Sequence, residues 1–329
     1  MGGKLTAMHL WLLFILGAVV SVESTAAGIE IRPGTKVEFA SASTTARLLS
    51  VRDGFVQAMS PYDRSARLKT DHAVTEAEYL AFVARQAENW NADEKTRLIA
   101  ILESFRAKAV QLGIRLPSSI FLLKTTGLEE GGAAYCRGVS IVIPETLADG
   151  DASQLESLVF HELFHIYRAH NPETRAALYG IIGFHLCPQV ELPEGMRSRK
   201  ITNPDAPLLD SFIRIRVDGR LVAAMPVLFA KTERYDTKAG GEFFRSMVFR
   251  LMVLDRTESG YRPSILPGGA ARLLDPKEVP DYLEQVGRNT GYVIHPDEIL
   301  ADNFALMLGH PPQVASPRIL QEMRSLLTK

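Results

Sequence analysis

Apolar residues recur three or four positions apart in several segments, which is the spacing of a helix with one buried face. These segments lie at residues 45–59, 75–88, 93–112, 151–169, 241–254, 296–308 and 317–327. Thr75 with Glu78 forms a capping box at the start of the second segment. Asn91 can cap the third, and Asp151 or Ser153 the fourth. The pattern therefore predicts a helix over each of these segments.

Shorter segments rich in β-branched and aromatic residues predict strands between the helices. They lie at residues 119–124, 133–136, 139–143, 212–217 and 221–229. The last two flank Asp218-Gly219, a dipeptide that favours a tight β-hairpin. We expect irregular structure at residues 28–44 and a loop rich in proline and glycine at residues 259–270.

Strands grouped between helical sections favour the α+β class. The chain turns loop-like after Pro188, so we place a lobe boundary near residue 190. This gives an N-terminal lobe at residues 28–190 and a C-terminal lobe at residues 191–329, which carries the hairpin as an insertion.

The first 27 residues have the pattern of an export signal. Lys4 precedes an apolar run at residues 9–20, and small residues follow that suit cleavage after Ala27. The run is too short for a comfortable membrane span. We expect a secreted or periplasmic protein, with an uncleaved N-terminal anchor as the alternative. A removable pro-segment at residues 28–74 would lack a clear processing site.

Composition excludes some classes of function. The formal net charge is -1, so there is no basic excess to bind nucleic acid. The two cysteines, Cys136 and Cys187, either form one disulfide, which an exported protein favours, or stay separate buried thiols.

The central chemical motif is His161-Glu162-Leu163-Phe164-His165, inside the helix predicted at residues 151–169. Residues four apart lie one turn apart on the same helix face, so His161 and His165 can reach one metal ion together. Glu162 lies beside them, where a general base would be needed. The alternative is a helix that merely exposes these polar residues to solvent.

A catalytic zinc site usually takes three protein ligands and leaves one position for water. The histidine that a metzincin would place at position 171 is Asn171 here, and His170 and His185 are off that pattern. Glu298 and Asp302 are better candidates, because they lie four apart among apolar residues of the helix predicted at 296–308.

The two motifs together resemble the gluzincin group of zinc metallopeptidases, which includes thermolysin. The resemblance covers residues 119–170 and 288–306. It implies a zincin-like two-lobed fold, with a small mixed sheet in the N-terminal lobe and a mainly helical C-terminal lobe. It also implies Zn2+ held by His161, His165 and Glu298, with Glu162 as general base and Asp302 orienting His161. The segment at residues 133–143 is similar to the strand at the edge of the zincin cleft.

Gluzincins also use a tyrosine or histidine to stabilise the oxyanion. Tyr292 is our candidate for this role, with His295 and Tyr261 as alternatives. A peptide or protein substrate could pair with the strand near residues 133–135. Polar loop residues that could line the cleft are Asn203, Asp205, Arg288 and Asn289.

The resulting hypothesis is an exported zinc metallopeptidase. Two alternatives differ from it: a non-catalytic zinc-containing protein that binds peptide or cell-wall material, and a zinc amidase with a non-protein substrate. A site closed by a fourth protein ligand would favour the first alternative.

Overall fold

The computed structural model describes residues 28–309 and 313–328. The predicted export signal at residues 1–27 lies outside the described residues. The described chain is a mixed α+β protein with two β-sheets, as the sequence predicted for the fold class. Within it, no helix is both long enough and apolar enough to cross a membrane.

The first sheet is mixed, with six strands in the order β1-β2-β4-β6-β5 and β3 paired to β4. The strands are β1 (Ile29–Arg32), β2 (Thr35–Phe39), β3 (Ala87–Glu88), β4 (Ser119–Thr125), β5 (Tyr135–Arg137) and β6 (Ser140–Pro144). β2, β4 and β6 run parallel, and β5 is an antiparallel edge strand. The expectation of irregular structure at residues 28–44 was wrong, because the strands there are too short for a clear alternating pattern.

The second sheet is antiparallel, in the order β11-β10-β9-β8-β7 with β12 paired to β10. Its strands are β7 (Phe184–Leu186), β8 (Ser211–Val217), β9 (Arg220–Ala230), β10 (Met247–Thr257), β11 (Gly260–Pro263) and β12 (Leu273–Leu274). The predicted hairpin is confirmed as β8 and β9, joined by Asp218 and Gly219 in left-handed conformations. Its neighbours extend it to a sheet, so the C-terminal part is not mainly helical.

The helix predicted at residues 241–254 was wrong, because β10 occupies most of that segment. Both faces of β10 are covered: Leu251 belongs to the main core, and Met252 to a second apolar cluster. A strand buried on both faces is apolar at consecutive positions, so its periodicity does not distinguish it from a buried helix. The loop expected at residues 259–270 likewise contains β11.

The helices are α1 (Ala42–Leu49), α2 (Gly54–Ala58), α3 (Pro61–Arg67), α4 (Glu76–Ala84), α5 (Ala92–Gln111), α6 (Glu145–Ala148), α7 (Ala152–His170), α8 (Arg175–Ile181), α9 (Glu194–Arg197), α10 (Pro280–Val286), α11 (Pro296–Gly309) and α12 (Pro317–Leu327). The segment predicted as one helix at residues 45–59 contains two helices. α1 ends at Leu49, and Asp53 caps the start of α2. The capping box of Thr75 and Glu78 is confirmed, but α4 ends at Ala84, and Glu88 lies in β3.

The two helices that carry the metal-site candidates pack directly against each other. Asp151 caps α7 by accepting hydrogen bonds from the backbone of Ser153 and Gln154. Further along α7, the ring of Phe164 lies 5.5 Å from the ring of Phe304 on α11. This aromatic contact fixes the separation of two helices that are distant in sequence.

The N-terminal residues are integral to the fold. Ile31 and Val37, on β1 and β2, are fully buried in the main core. That core also contains Phe164 and Leu300, so it spans both sides of the predicted boundary near residue 190. Removal of residues 28–74 would take two strands from the first sheet.

Phe304→Ala should destabilise the protein by about 3–5 kcal/mol, because it leaves a cavity between α7 and α11. The measurement is urea unfolding in the presence of a metal chelator. Val110→Ala, at an exposed position of α5, is the control and should change stability by less than about 0.5 kcal/mol. A similar small loss in both variants would contradict the role of this contact.

Candidate metal centre

Three side chains from α7 and α11 converge on one point. His161 Nε2 lies 3.1 Å from His165 Nε2 and 3.2 Å from Glu298 Oε2. His165 Nε2 lies 3.7 Å from the same carboxylate oxygen. All three side chains are largely shielded from solvent. The sequence predicted that these residues would meet, and the structure brings them together.

The spacing fits a shared metal ion. Two atoms that bind zinc at about 2.0–2.1 Å in a tetrahedral arrangement lie about 3.3–3.4 Å apart. The three observed separations fall on either side of this value. Two imidazole nitrogens and one carboxylate oxygen are also a donor set that zinc binds well. The three residues can therefore hold a metal ion.

Asp302 orients the first histidine. His161 Nδ1 lies 2.8 Å from Asp302 Oδ1, so a neutral imidazole would donate a hydrogen bond from Nδ1 to the carboxylate and leave the lone pair of Nε2 for a metal ion. Thr290 donates a hydrogen bond to the other oxygen of Asp302. Asp302 therefore favours the tautomer that a metal ligand needs, once the imidazole has lost its second proton.

Asn203 orients Glu298 in a similar way. Its amide donates to Glu298 Oε1 (2.6 Å), which leaves Oε2 to face the histidines. The preceding residue, Thr202, donates from its backbone and hydroxyl to the buried carboxylate of Asp63 on α3. Asp63 is in turn paired with the buried Arg67 at 2.8 Å. The loop at Asn203 is thus anchored to the N-terminal part of the chain.

The second histidine has no direct partner for its other nitrogen. His165 Nδ1 is buried and makes no hydrogen bond within the described residues. Elsewhere on its ring, His165 lines a cavity of about 220 Å³ together with Arg168, Asp205 and Asp297.

Glu162 is buried beside the histidines and touches a cysteine. Cys136 Sγ on β5 donates to Glu162 Oε2 (3.2 Å), and the backbone N–H of Cys136 donates to Asp205 Oδ1 (2.6 Å). The favoured disulfide was wrong: both cysteines are free. Cys136 faces Glu162, whereas Cys187 packs against a different apolar cluster.

The charges at the site shift one another's protonation. Burial lowers the pKa of both histidines, but hydrogen bonds to Asp302 and Glu298 raise that of His161 well above its usual value. The charges of Asp205 and Glu298 likewise raise the pKa of His165 to about 9. Burial would raise the pKa of Glu298, yet the imidazoles hold it well below the usual range. Burial raises the pKa of Glu162, while the charges of the two histidines act in the opposite direction.

A cleft of about 460 Å³ opens over the site. His161, Glu162, Glu298 and Asp302 line it on one side, and Tyr292 lines it as well. Tyr292 is 42% exposed, so partial burial and the charge of Glu298 raise the pKa of its hydroxyl, which keeps its proton at neutral pH and can donate a hydrogen bond.

The alternatives to Tyr292 lie elsewhere. His295 is buried and packs edge-on against Tyr179, while Tyr261 stacks on Phe212 in the second sheet. The polar loop residues that were expected to line the cleft lie in two different places. Asn203 and Asp205 lie at the metal site, whereas Arg288 and Asn289 line a separate groove.

Sequence reasoning missed the contacts of Cys136 and Thr290, and it gave Asn203 no specific role. These residues lie on an edge strand or in loops, where no periodic pattern indicates which way a side chain points. Polar residues between Thr202 and Pro207, a loop without regular structure, were the one available signal.

Comparison of the chain with models of protein families, with curated proteins and with solved structures finds no match. The function has therefore to be inferred from the site itself.

The metal site should bind one zinc ion per chain, and zinc should raise the melting temperature. His165→Ala should abolish this binding, because it removes one of three ligands. His170→Ala changes the same residue type at the exposed end of α7 and is the control. Stoichiometry by metal analysis and melting by calorimetry check both variants. Equal zinc content in the two would contradict the assignment.

Zinc affinity should rise at least about tenfold per pH unit from pH 6 to pH 8. Zinc binds neutral imidazole, so it must displace the protons that the raised pKa values of His161 and His165 retain in the metal-free protein. Competition with a chelating dye measures the affinity at each pH. A plateau already reached near pH 7 would show that both histidines titrate at ordinary values.

Proposed function

We propose that the chain is a zinc-dependent peptidase with a zincin-like site of the gluzincin type. The observation that carries this proposal is the convergence of His161, His165 and Glu298 beside the buried carboxylate of Glu162. The cleft above them gives a substrate access to the same point. The mixed sheet, with its antiparallel edge strand β5, supports the zincin-like part of the proposal.

His161, His165 and Glu298 would hold the zinc ion, and Asp302 would keep His161 in the ligand tautomer. Zinc bound there would lower the pKa of a water molecule to about 7 and polarise the carbonyl of the substrate. Glu162 accepts the proton of the attacking water and passes it to the leaving amine. The thiol of Cys136 holds one oxygen of Glu162 in place.

The substrate peptide would lie alongside the residues that lead into β5. Ala133 and Ala134, directly before β5, line the cleft together with the histidine helix. The backbone N–H of Cys136 is already bonded to Asp205. A substrate strand can therefore pair only with the residues before Cys136. Tyr292, which lines the same cleft, would donate a hydrogen bond to the oxyanion that forms on the carbonyl oxygen.

Glu162→Gln should lower kcat for peptide hydrolysis at least about 100-fold while zinc stays bound, because the amide cannot accept the proton. Glu156→Gln makes the same change on the same helix, where the side chain accepts from Ser104 and lies 3.9 Å from Lys108 but does not line the cleft, and should keep full activity. A peptide library measured by mass spectrometry, with zinc content measured in parallel, checks the prediction.

Full activity of Glu162→Gln would refute the proposed mechanism. Zinc binding without hydrolysis of any peptide by the natural sequence would favour the non-catalytic alternative. Hydrolysis of small amides alone would favour the amidase.

A further inference from the structure

A second and larger groove lies next to the cleft. Its volume is about 740 Å³, which is within the range of pockets that hold ligands. The start of β10 forms one wall, and residues 287–293 form another. None of the proposed metal ligands lines it. Its floor includes the apolar side chains of Phe249, Leu283 and Val293, which all pack against the main core.

The β10 wall of the groove is a strand edge with no neighbouring strand in the described part of the chain, although the guanidinium of Arg250 donates to the carbonyl of Phe249 there (2.8 Å). At Met247–Arg250, β10 pairs with β9 on one side. On its other side, β10 pairs with β12 only at Leu251 and Met252, and with β11 only from Leu254 onward. Across the described residues, no strand pairs with the outer edge of this stretch. An open edge can take up an extended peptide as an additional strand.

The groove is also positively charged. Lys231, Lys277 and Arg288 line it and have no ion-pair partner in the part of the chain that the structure describes. Arg250 lines it too and lies 3.4 Å from Asp275, the one acidic residue among the groove residues. In a chain of net charge -1, this is a local concentration of positive charge, which attracts acidic ligands.

The groove leads toward the cleft. Met247 lines both the groove and a smaller pocket, and Tyr292 lines both that pocket and the cleft. Thr290, in the groove wall, donates to Asp302 behind His161. A single extended chain that passes Tyr292 and Met247 would reach both places.

We infer that this groove is an exosite that binds an extended, acidic segment of the protein substrate. The segment adds to the open edge of β10, with its acidic side chains toward Lys231, Lys277 and Arg288. Side chains alternate along a strand, so acidic residues at every second position, with apolar residues between them, match the charged rim and apolar floor. This inference rests on the proposed peptidase function.

The test uses the zinc-loaded Glu162→Gln protein, so that binding is measured without cleavage. The probes are fluorescent peptides of alternating Glu and Val, and of alternating Gln and Val. Fluorescence anisotropy should show at least about tenfold tighter binding of the acidic peptide, and its affinity should fall as salt is added.

Lys277→Glu combined with Arg288→Glu should weaken binding of the acidic peptide about tenfold or more, because two attractions become repulsions. Arg85→Glu combined with Arg106→Glu makes the same change in net charge at exposed positions in the N-terminal part of the chain, on elements that do not line the groove. That control should change the affinity less than about twofold.

The strand pairing is tested with two N-methylated versions of the acidic peptide. In each version every second residue is methylated, so that the N–H groups along one edge or along the other edge are blocked. One of the two methylated peptides should lose binding.

Equal binding of the two peptides, an equal loss in both double variants, or full binding of both methylated peptides would overturn the exosite. Its failure is separable from failure of the peptidase proposal. Cleavage of neutral and acidic peptides at the same kcat/KM would leave the peptidase and remove the exosite. If the protein binds the acidic peptide tightly but cleaves no peptide, the binding groove would stand and the peptidase proposal would fail.

Discussion

The candidate site depends on the packing of α7 against α11. The contact between Phe164 and Phe304 brings two imidazoles and two carboxylates, from residues more than 130 positions apart, into one shielded cluster. Charges in such a place are costly unless each has a partner of opposite charge or a metal ion. The pairing of His161 with Asp302, and of Glu298 with both histidines, supplies those partners. Apolar packing and charge neutralisation therefore support each other.

A second set of buried charges supports the first. Asp63 and Arg67 on α3, with Glu130 before β5, hold the backbone at Thr202. Asn203, which follows directly, orients Glu298. Breaking one partner of a buried pair leaves the other uncompensated, which is more costly than losing an exposed pair. The position of Glu298 is thus set by its own helix and by the N-terminal part of the chain.

The sequence was most informative where local signals agreed. The Asp151 cap, the helical spacing of apolar residues and the two histidines all indicated α7, and the Asp-Gly dipeptide indicated the β8–β9 hairpin. It failed at β10, which is apolar on both faces, and at β1 and β2, which are short. The partners of Glu162 and Glu298 depend on tertiary contacts of Cys136 and Asn203, and local patterns carry no information on these. The same holds for the free thiols, since only geometry decides whether two cysteines can join.

The parallel pairing of β2 with β4 has a consequence for the order of folding. Lys36 pairs with Ser119, and the cluster around His161 is completed only by residues near 300. Contacts between residues so distant in sequence require large loops to close first, which slows folding. During synthesis, residues near 300 must leave the ribosome before the charged groups around His161 find their partners. Until then the apolar face of α7 around Phe164 is uncovered, and we expect dependence on chaperones at that stage.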